Sequence, residues 1–191
     1  MIREIRKLGD PILTKKAEKV RNIDGLIISL VRDLLETMKF HDGWGIAAPQ
    51  VGISKAIALV KNLSNPDGPP IVFINPTISF RSEDTNEDYE ACLSVPDVMG
   101  LVDRSNSIKV KFQDQYGKFH TNSYESFQAN ICQHELDHLA GILFLSRAKG
   151  DLVPLRALSA EALEAIKGED ISKVYVNKEN LELAKTGNTF S

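Results

Sequence analysis

Two of the four histidines in this 191-residue chain, His134 and His138, lie four positions apart in the pentapeptide HELDH, with Glu135 directly after the first. On a helix that spacing stacks both imidazoles on one face, where they can converge on one cation, and Glu135 can reach the cation's open side. The pattern H-E-x-x-H suits a metal that activates water beside a general base. The plain alternative is a helix that happens to carry two unrelated histidines. Two imidazoles do not complete a catalytic shell, and His138 is the last histidine of the chain, so no third one follows downstream. Glu161 or Glu164 could serve, although both lie in an amphipathic segment where solvated carboxylates are the ordinary expectation. Cys92, in EACLSVP, is the better candidate, a thiol beside a turn-forming proline and between strand-like runs; its bland reading is a buried, inert thiol. Cys132 precedes His134 by two residues, points elsewhere on the helix and is assigned to packing. A third stretch, GWGIAAPQVG, adds polar chemistry without a ligand. Gly43 and Gly45 let the backbone turn tightly and approach another chain, and Gln50 carries a donor amide. A helix-to-strand loop would account for the same residues.

The elements that must position these groups follow from periodicity. The stretch LGDPILTKKAEKV reads as an extended arm with a turn at Asp10 and Pro11. In NIDGLIISLVRDLLETMKFHDG, Leu26, Leu30, Leu34, Leu35 and Met38 recur at helical spacing, which predicts a helix of about four turns stopped at Gly43. Strand-like runs come next, AIALV and IVFIN, separated by the loop KNLSNPDGPP. DYEACLSV and NSIKVKFQD read as further strands, and DQYG before KFHTNSY reads as a hairpin connection. SYESFQANICQHELDHLAGILF returns to the helical period through Phe127, Ile131 and Leu139, with Gly141 as the stop. Asn130 shows that this helix is not uniformly apolar. A last helix is predicted over SAEALEAIKG, ending at Gly168. The expected fold is therefore α+β, with antiparallel β-sheets packed around a central helix carrying the H-E-x-x-H motif. The expected organisation is one metallohydrolase domain over residues 1–168 and a polar C-terminal extension over 169–191 whose role is open.

Composition narrows the function classes. The chain is 42% apolar, enough for one well-buried core and too short for two full domains. With 23 Lys and Arg against 26 Asp and Glu, the formal charge is −3, and no basic block marks a nucleic-acid footprint, so no sequence-specific nucleic-acid binding is expected. The same balance still permits a local charged contact with a large partner. Only two cysteines occur, and the charged start MIREIRKLGDP has no signal-peptide character, which points to reduced thiols in a cytoplasmic setting. No apolar run approaches bilayer-crossing length, so no membrane partner is expected. Nothing in the sequence sets an oligomeric state.

Taken together and in order, the three stretches resemble peptide deformylase. The family pattern G-x-G-x-A-A-x-Q is met by Gly43 to Gln50, and Q-H-E-x-D-H by Gln133 to His138. E-G-C-L-S is met by Glu90 to Ser94 except at Ala91. LGDPIL near the start and INP at Ile74 to Pro76 extend the resemblance over about residues 5 to 147. The resemblance implies that Cys92, His134 and His138 bind a metal with water in the fourth position. It implies that Glu135 is general base and then proton donor, and that Gln50 and the Leu93 N–H stabilise the oxygen of the tetrahedral intermediate. Gly45 would bind substrate backbone. Trp44, Ile46 and Ile131 would line the pocket or its entrance by adjacency to the motifs, with core packing as the competing reading. Family members remove the formyl group from the N-terminal formylmethionine of new polypeptides, generally with Fe²⁺ and often accepting Ni²⁺, Co²⁺ or Zn²⁺. The implied partners are N-formylmethionyl nascent peptides, with a transient ribosome contact. At Ala91 the methyl group would narrow the substrate cleft, or cost about 1 kcal/mol if the backbone there were left-handed. The rival functions are a metallopeptidase of the H-E-x-x-H type and a non-catalytic metal-binding interaction module. Cys92 in place of a downstream His or Glu ligand argues against the first; the second takes Ala91 as the mark of a relaxed active site, and metal retention without formate release, despite an intact Glu135, would support it.

Overall fold

A computed structural model describes residues 1–154. The helix expected at 159–168, Glu161 and Glu164, the domain boundary at 168 and the 169–191 extension lie outside the described residues. The first helix, α1 (Gly25–Phe40), begins where Asp24 Oδ1 accepts from the N–H groups of Leu26 and Ile27 at 3.0 and 3.1 Å, satisfying donors that have no partner within the helix. Its buried stripe is Ile27, Leu30, Val31, Leu34 and Met38. Leu26, read as part of that stripe, is 80% exposed, because a residue directly before the stripe points about 100° away from it.

Among the described residues, eight strands follow the first helix, in two antiparallel sheets. These are β1 (Gly45–Ala47), β2 (Ile57–Val60), β3 (Ile71–Arg81), β4 (Thr85–Cys92), β5 (Val95–Ser105), β6 (Ser107–Gln113), β7 (Phe119–Glu125) and β8 (Ala148–Pro154). One sheet has the order β1-β2-β3-β6-β7 and the other β4-β5-β8. The expected hairpin closes β6 onto β7: Asp114 Oδ1 accepts from the N–H groups of Tyr116 and Lys118, and Gly117 supplies the positive φ of 81°. Strands β5 and β8 were not anticipated. β5 carries Pro96 and Gly100, which read as breakers in sequence.

The second helix, α2 (Ser126–Ala140), lies against the five-stranded sheet. Its Ala129, Ile131, Cys132 and Leu139 join Ala47, Ala58, Val60, Phe73, Ile108 and Val110 in one apolar cluster. It stops at Gly141 (φ 75°), whose N–H bonds to the His138 carbonyl, while Ile142 N–H reaches back to Asp137. A Cβ on Gly141 would also lie 2.6 Å from the Thr14 carbonyl oxygen, so only glycine fits the turn. Another cluster, Leu13, Cys92, Val95, Val102, Leu143, Phe144 and Leu152, lies under the three-stranded sheet.

One part of the expected fold is corrected. The class is α+β with antiparallel sheets. The metal-capable group, however, is Cys92, His134 and His138, not the H-E-x-x-H motif on a central helix. The physical reason is that the helix offers only two of the donors, and the third comes from the last residue of β4. The site is therefore a junction between the small sheet and α2. Among the described residues, no helix is long and apolar enough to cross a membrane.

Candidate active site and metal centre

Cys92 owes its position to a break in pairing. β4 and β5 run in register from Thr85↔Ser105 to Ala91↔Met99, then shift so that Cys92 faces Val95 across a tight turn through Leu93 and Ser94. The N-terminal arm braces this turn: Leu8 N–H bonds to the Ser94 carbonyl at 2.8 Å, and Lys7 Nζ to the Leu93 carbonyl at 2.8 Å. Arg6 N–H bonds to the Gln50 carbonyl at 2.7 Å, so the arm ties together two of the three stretches singled out in the sequence.

On α2, His134 and His138 stand one turn apart with ring centroids 5.0 Å from each other. Cys92 Sγ lies 3.2 Å from His138 Nε2, and one ligand atom from each of the three residues falls within 4.8 Å of the others. The far nitrogen of His134, Nδ1, is 2.8 Å from Glu90 Oε2, an arrangement that fixes the ring and turns Nε2 toward Cys92. One thiolate and two imidazoles, gathered without a fourth protein donor among the described residues, are the ligand set of a catalytic divalent-metal site. Burial raises the Cys92 pKa, but the His138 charge and hydrogen bonds from His134 and His138 outweigh it and hold the thiol well below its ordinary range. The residues present therefore fit one divalent cation.

Beneath the histidines lies a charged network that the sequence did not reveal. Arg104 donates to Glu90 through Nε (2.7 Å) and Nη2 (2.8 Å), and to Asp137 Oδ2 through Nη1 (2.5 Å). Arg147 grips the same Asp137 through Nε and Nη2 at 2.6 and 2.8 Å. Burial pushes the Glu90 carboxyl up, yet its bonds with Arg104 and His134 bring it down to about 2, so it stays an acceptor for His134. Glu90 and Asp137 stood inside the motifs, but a lone arginine in VDRSN gave no sign that it would be buried between them.

Glu135 projects beside the metal-capable group, buried, with Oε2 unpartnered. Burial raises its carboxyl to about 7, against the pull of the His134 and His138 charges. β1 presses on it directly: a Cβ on Gly45 would fall 2.5 Å from Glu135 Oε1 and 2.6 Å from Cγ. The position of the carboxylate thus depends on the missing side chain, and Gly45→Ala is expected to lower kcat by at least tenfold while metal content stays at the level of the parent chain. Steady-state kinetics beside metal analysis checks this. Gln50, also buried, accepts from Ala47 N–H through Oε1 at 2.8 Å, which directs Nε2 toward Cys92 Sγ (3.5 Å) and Ser94 Oγ (3.3 Å).

These groups stand at a cleft of about 510 Å³ lined by Gly45, Gln50, Leu93, Ile131 and Glu135 among others. Trp44 stands half-exposed at its edge, edge-on to Phe127 with centroids 5.2 Å apart and with Lys61 Nζ 5.1 Å from its ring. Ile131 and Trp44 line the cleft. Ile46 does not: its side chain is fully buried with Leu34, Ile57 and Leu59, because neighbouring residues of a strand face opposite ways. Ala91 lines the cleft in extended β4, outside the positive-φ residues, so its methyl group narrows the opening without backbone strain.

Comparison with known proteins agrees with this geometry. The family model described as polypeptide deformylase matches residues 2–152. A peptide deformylase of Dictyoglomus thermophilum is 50% identical over 148 residues, covering 78% of this chain and 94% of that protein. The crystal structure of peptide deformylase from Thermotoga maritima superposes with a TM-score of 0.74 at 37% identity, covering 78% of this chain and 99% of that one. A peptide deformylase from Acinetobacter baumannii, solved with Met-Ala-Ser bound, gives a TM-score of 0.71 at 37% identity over 77% of this chain and 98% of that one. With a match spanning nearly all the described residues, and with the sheet-and-helix site built as above, the chain belongs to the polypeptide deformylase family.

Proposed function

We propose that this chain hydrolyses the formamide at the N-terminal formylmethionine of newly made polypeptides, releasing formate and a free α-amine. The observation that carries the reading is the convergence of Cys92, His134 and His138 beside a buried, unpartnered Glu135 at the cleft of a deformylase-family chain. A divalent cation held by these three side chains would supply Lewis acidity toward water and toward the formyl oxygen. Fe²⁺ is the native ion in this reading, with Zn²⁺, Ni²⁺ or Co²⁺ able to replace it, since thiolate and imidazole donors suit all four.

Glu135 takes the proton of the attacking water and passes it to the departing amine, a role its burial beside the metal-capable group suits. Gln50 Nε2 and the Leu93 N–H receive the negative oxygen that develops at the formyl carbon, with Gln50 already oriented by its bond from Ala47. Gly45, on the short strand β1, binds the peptide backbone, and Trp44 and Ile131 hold the methionine side chain. The Ala91 methyl group and the tight turn at Leu93 leave room for formyl and little for larger acyl groups. The reducing cytoplasm is the setting, which two free buried thiols suit, and the emerging peptide brings the enzyme into transient contact with the ribosome.

The test is formate release from formyl-Met-Ala-Ser by metal-loaded protein, beside the acetyl analogue. Release from the formyl peptide with little hydrolysis of the acetyl one is expected. Equal rates on both, or internal cleavage of an unformylated peptide, would contradict the small-acyl reading.

A further inference from the structure

The two groups assigned to receive the developing negative oxygen belong to different sheets. Gln50 sits in the single turn Ala48–Val51 that follows β1 of the five-stranded sheet, and Leu93 in the turn between β4 and β5 of the three-stranded one. Among the described residues no strand pairing joins the two sheets, so the spacing of these donors depends on what spans the gap. Three consecutive residues of the N-terminal arm do: Arg6 N–H bonds to the Gln50 carbonyl, Lys7 Nζ to the Leu93 carbonyl and Leu8 N–H to the Ser94 carbonyl, at 2.7, 2.8 and 2.8 Å. Burial anchors the arm on both sides of these residues. Ile5 lies in the apolar cluster that holds Leu30 and Leu34 of α1, and Leu13 lies in the cluster under the three-stranded sheet, with Leu8 packed against it.

Lys7 supplies the one side-chain contact of the three. Lys55 and Lys149 place their ammonium groups on carboxylates, Glu18 in the first case and Glu87 with Asp103 in the second. Lys7 Nζ reaches a backbone carbonyl instead, one residue past Cys92, although Asp42 and Asp88 line the same cleft. Holding the Leu93 carbonyl restricts the rotation of the residue that presents the Leu93 N–H. Lys7 is exposed and lines the cleft, so water screens this bond while the cleft is open. A peptide lying over it excludes that water and strengthens the bond during turnover.

We propose that Lys7 is a positioning residue for the hydrolysis, acting through the Leu93 carbonyl to keep the Leu93 N–H aimed at the place where the oxygen becomes negative. The inference rests on the deformylase reading above, since that reading gives the Leu93 N–H its task. Lys7 exchanges no proton and touches none of the reacting atoms. A misaimed donor weakens a contact that is strongest in the transition state, so the loss falls on kcat and leaves ground-state binding close to that of the parent chain.

The experiment compares the parent chain with Lys7→Met, which keeps the apolar stem and loses the donors and the charge, and with Lys7→Arg, which keeps both. Rates on formyl-Met-Ala-Ser are measured for zinc-loaded protein, beside calorimetric binding of the product Met-Ala-Ser. The NMR order parameter of the Leu93 amide in the product complex gives a readout independent of turnover. Lys7→Met is expected to lower kcat about tenfold, a fraction of what outright loss of such a donor costs, with KM and product affinity within about twofold of the parent. The Leu93 order parameter should fall from the rigid range near about 0.85 toward about 0.6, and Lys7→Arg should restore both rate and order. Thermal unfolding of the three chains should coincide, since the substitution is at an exposed side chain. Parent-level kcat in Lys7→Met, or a lowered kcat with the Leu93 amide as rigid as before, overturns the proposal and leaves the deformylase reading intact. A loss carried by KM and product affinity also overturns it, and makes Lys7 a direct contact of the peptide. No formate from the parent chain overturns both.

Discussion

Glu135→Ala lowers kcat on a formyl-Met peptide by about 10² to 10⁴-fold, the span that a positioned general base contributes, while one metal ion per chain remains. The separation of the two effects is the point of the prediction. Glu135 is buried next to the metal-capable group but is not part of it, since the ligand atoms that converge belong to Cys92, His134 and His138. Removing the carboxylate leaves that set whole. It also removes a charge that burial disfavours and that finds no partner for Oε2, so the variant should be at least as stable as the parent. Rate, metal content and thermal unfolding measured on one preparation check all three statements. Loss of metal together with activity would instead make Glu135 a ligand.

Arg104→Leu gives the largest expected loss of stability, about 3 to 5 kcal/mol, because it strips a buried guanidinium from two buried carboxylates. Asp137 keeps Arg147, and Glu90 keeps His134, so the fold survives with its charges poorly matched. Glu90 is then no longer pinned by two bonds from Arg104, and the ring of His134 loses its fixed orientation. Metal affinity should fall about 10 to 100-fold, as it does when the partner of a ligating histidine is disturbed. Denaturant unfolding and competitive chelation measure the two effects separately. A variant as stable as the parent, with unchanged affinity, would show that the network under the helix is not what holds the site.

Much of the site was legible because its chemistry is local in sequence. HELDH fixed two imidazoles and a carboxylate on one helix by spacing alone, and Cys92 stood out because the chain has two cysteines and the other lay beside the histidines. The α+β class followed from the helical stripe of α1, strand-like runs such as NSIKVKFQD and the Gly141 stop. The role given to the central helix did not hold, since the third donor is brought in by pairing of β4 with β5, a non-local event that periodicity does not encode. Arg104 was missed for the same reason: nothing adjacent in the chain reveals that two carboxylates will bury it. Ile46 was offered for the pocket by adjacency to the motifs, with core packing as the competing reading, and strand alternation turns it into the core. Asn130 was visible as a polar residue on a largely apolar face, but its lack of a partner appears only once the helix is packed.

The claim on which the rest depends is that one divalent ion is held by a sulfur from β4 and two nitrogens from α2. X-ray absorption at the metal edge of the anaerobically purified protein tests it most directly. One sulfur at about 2.3 Å together with two imidazole nitrogens at about 2.0 to 2.1 Å is the expected first shell, and Cys92→Ala should remove the sulfur signal. A shell of nitrogen and oxygen alone in the unsubstituted protein would contradict the account.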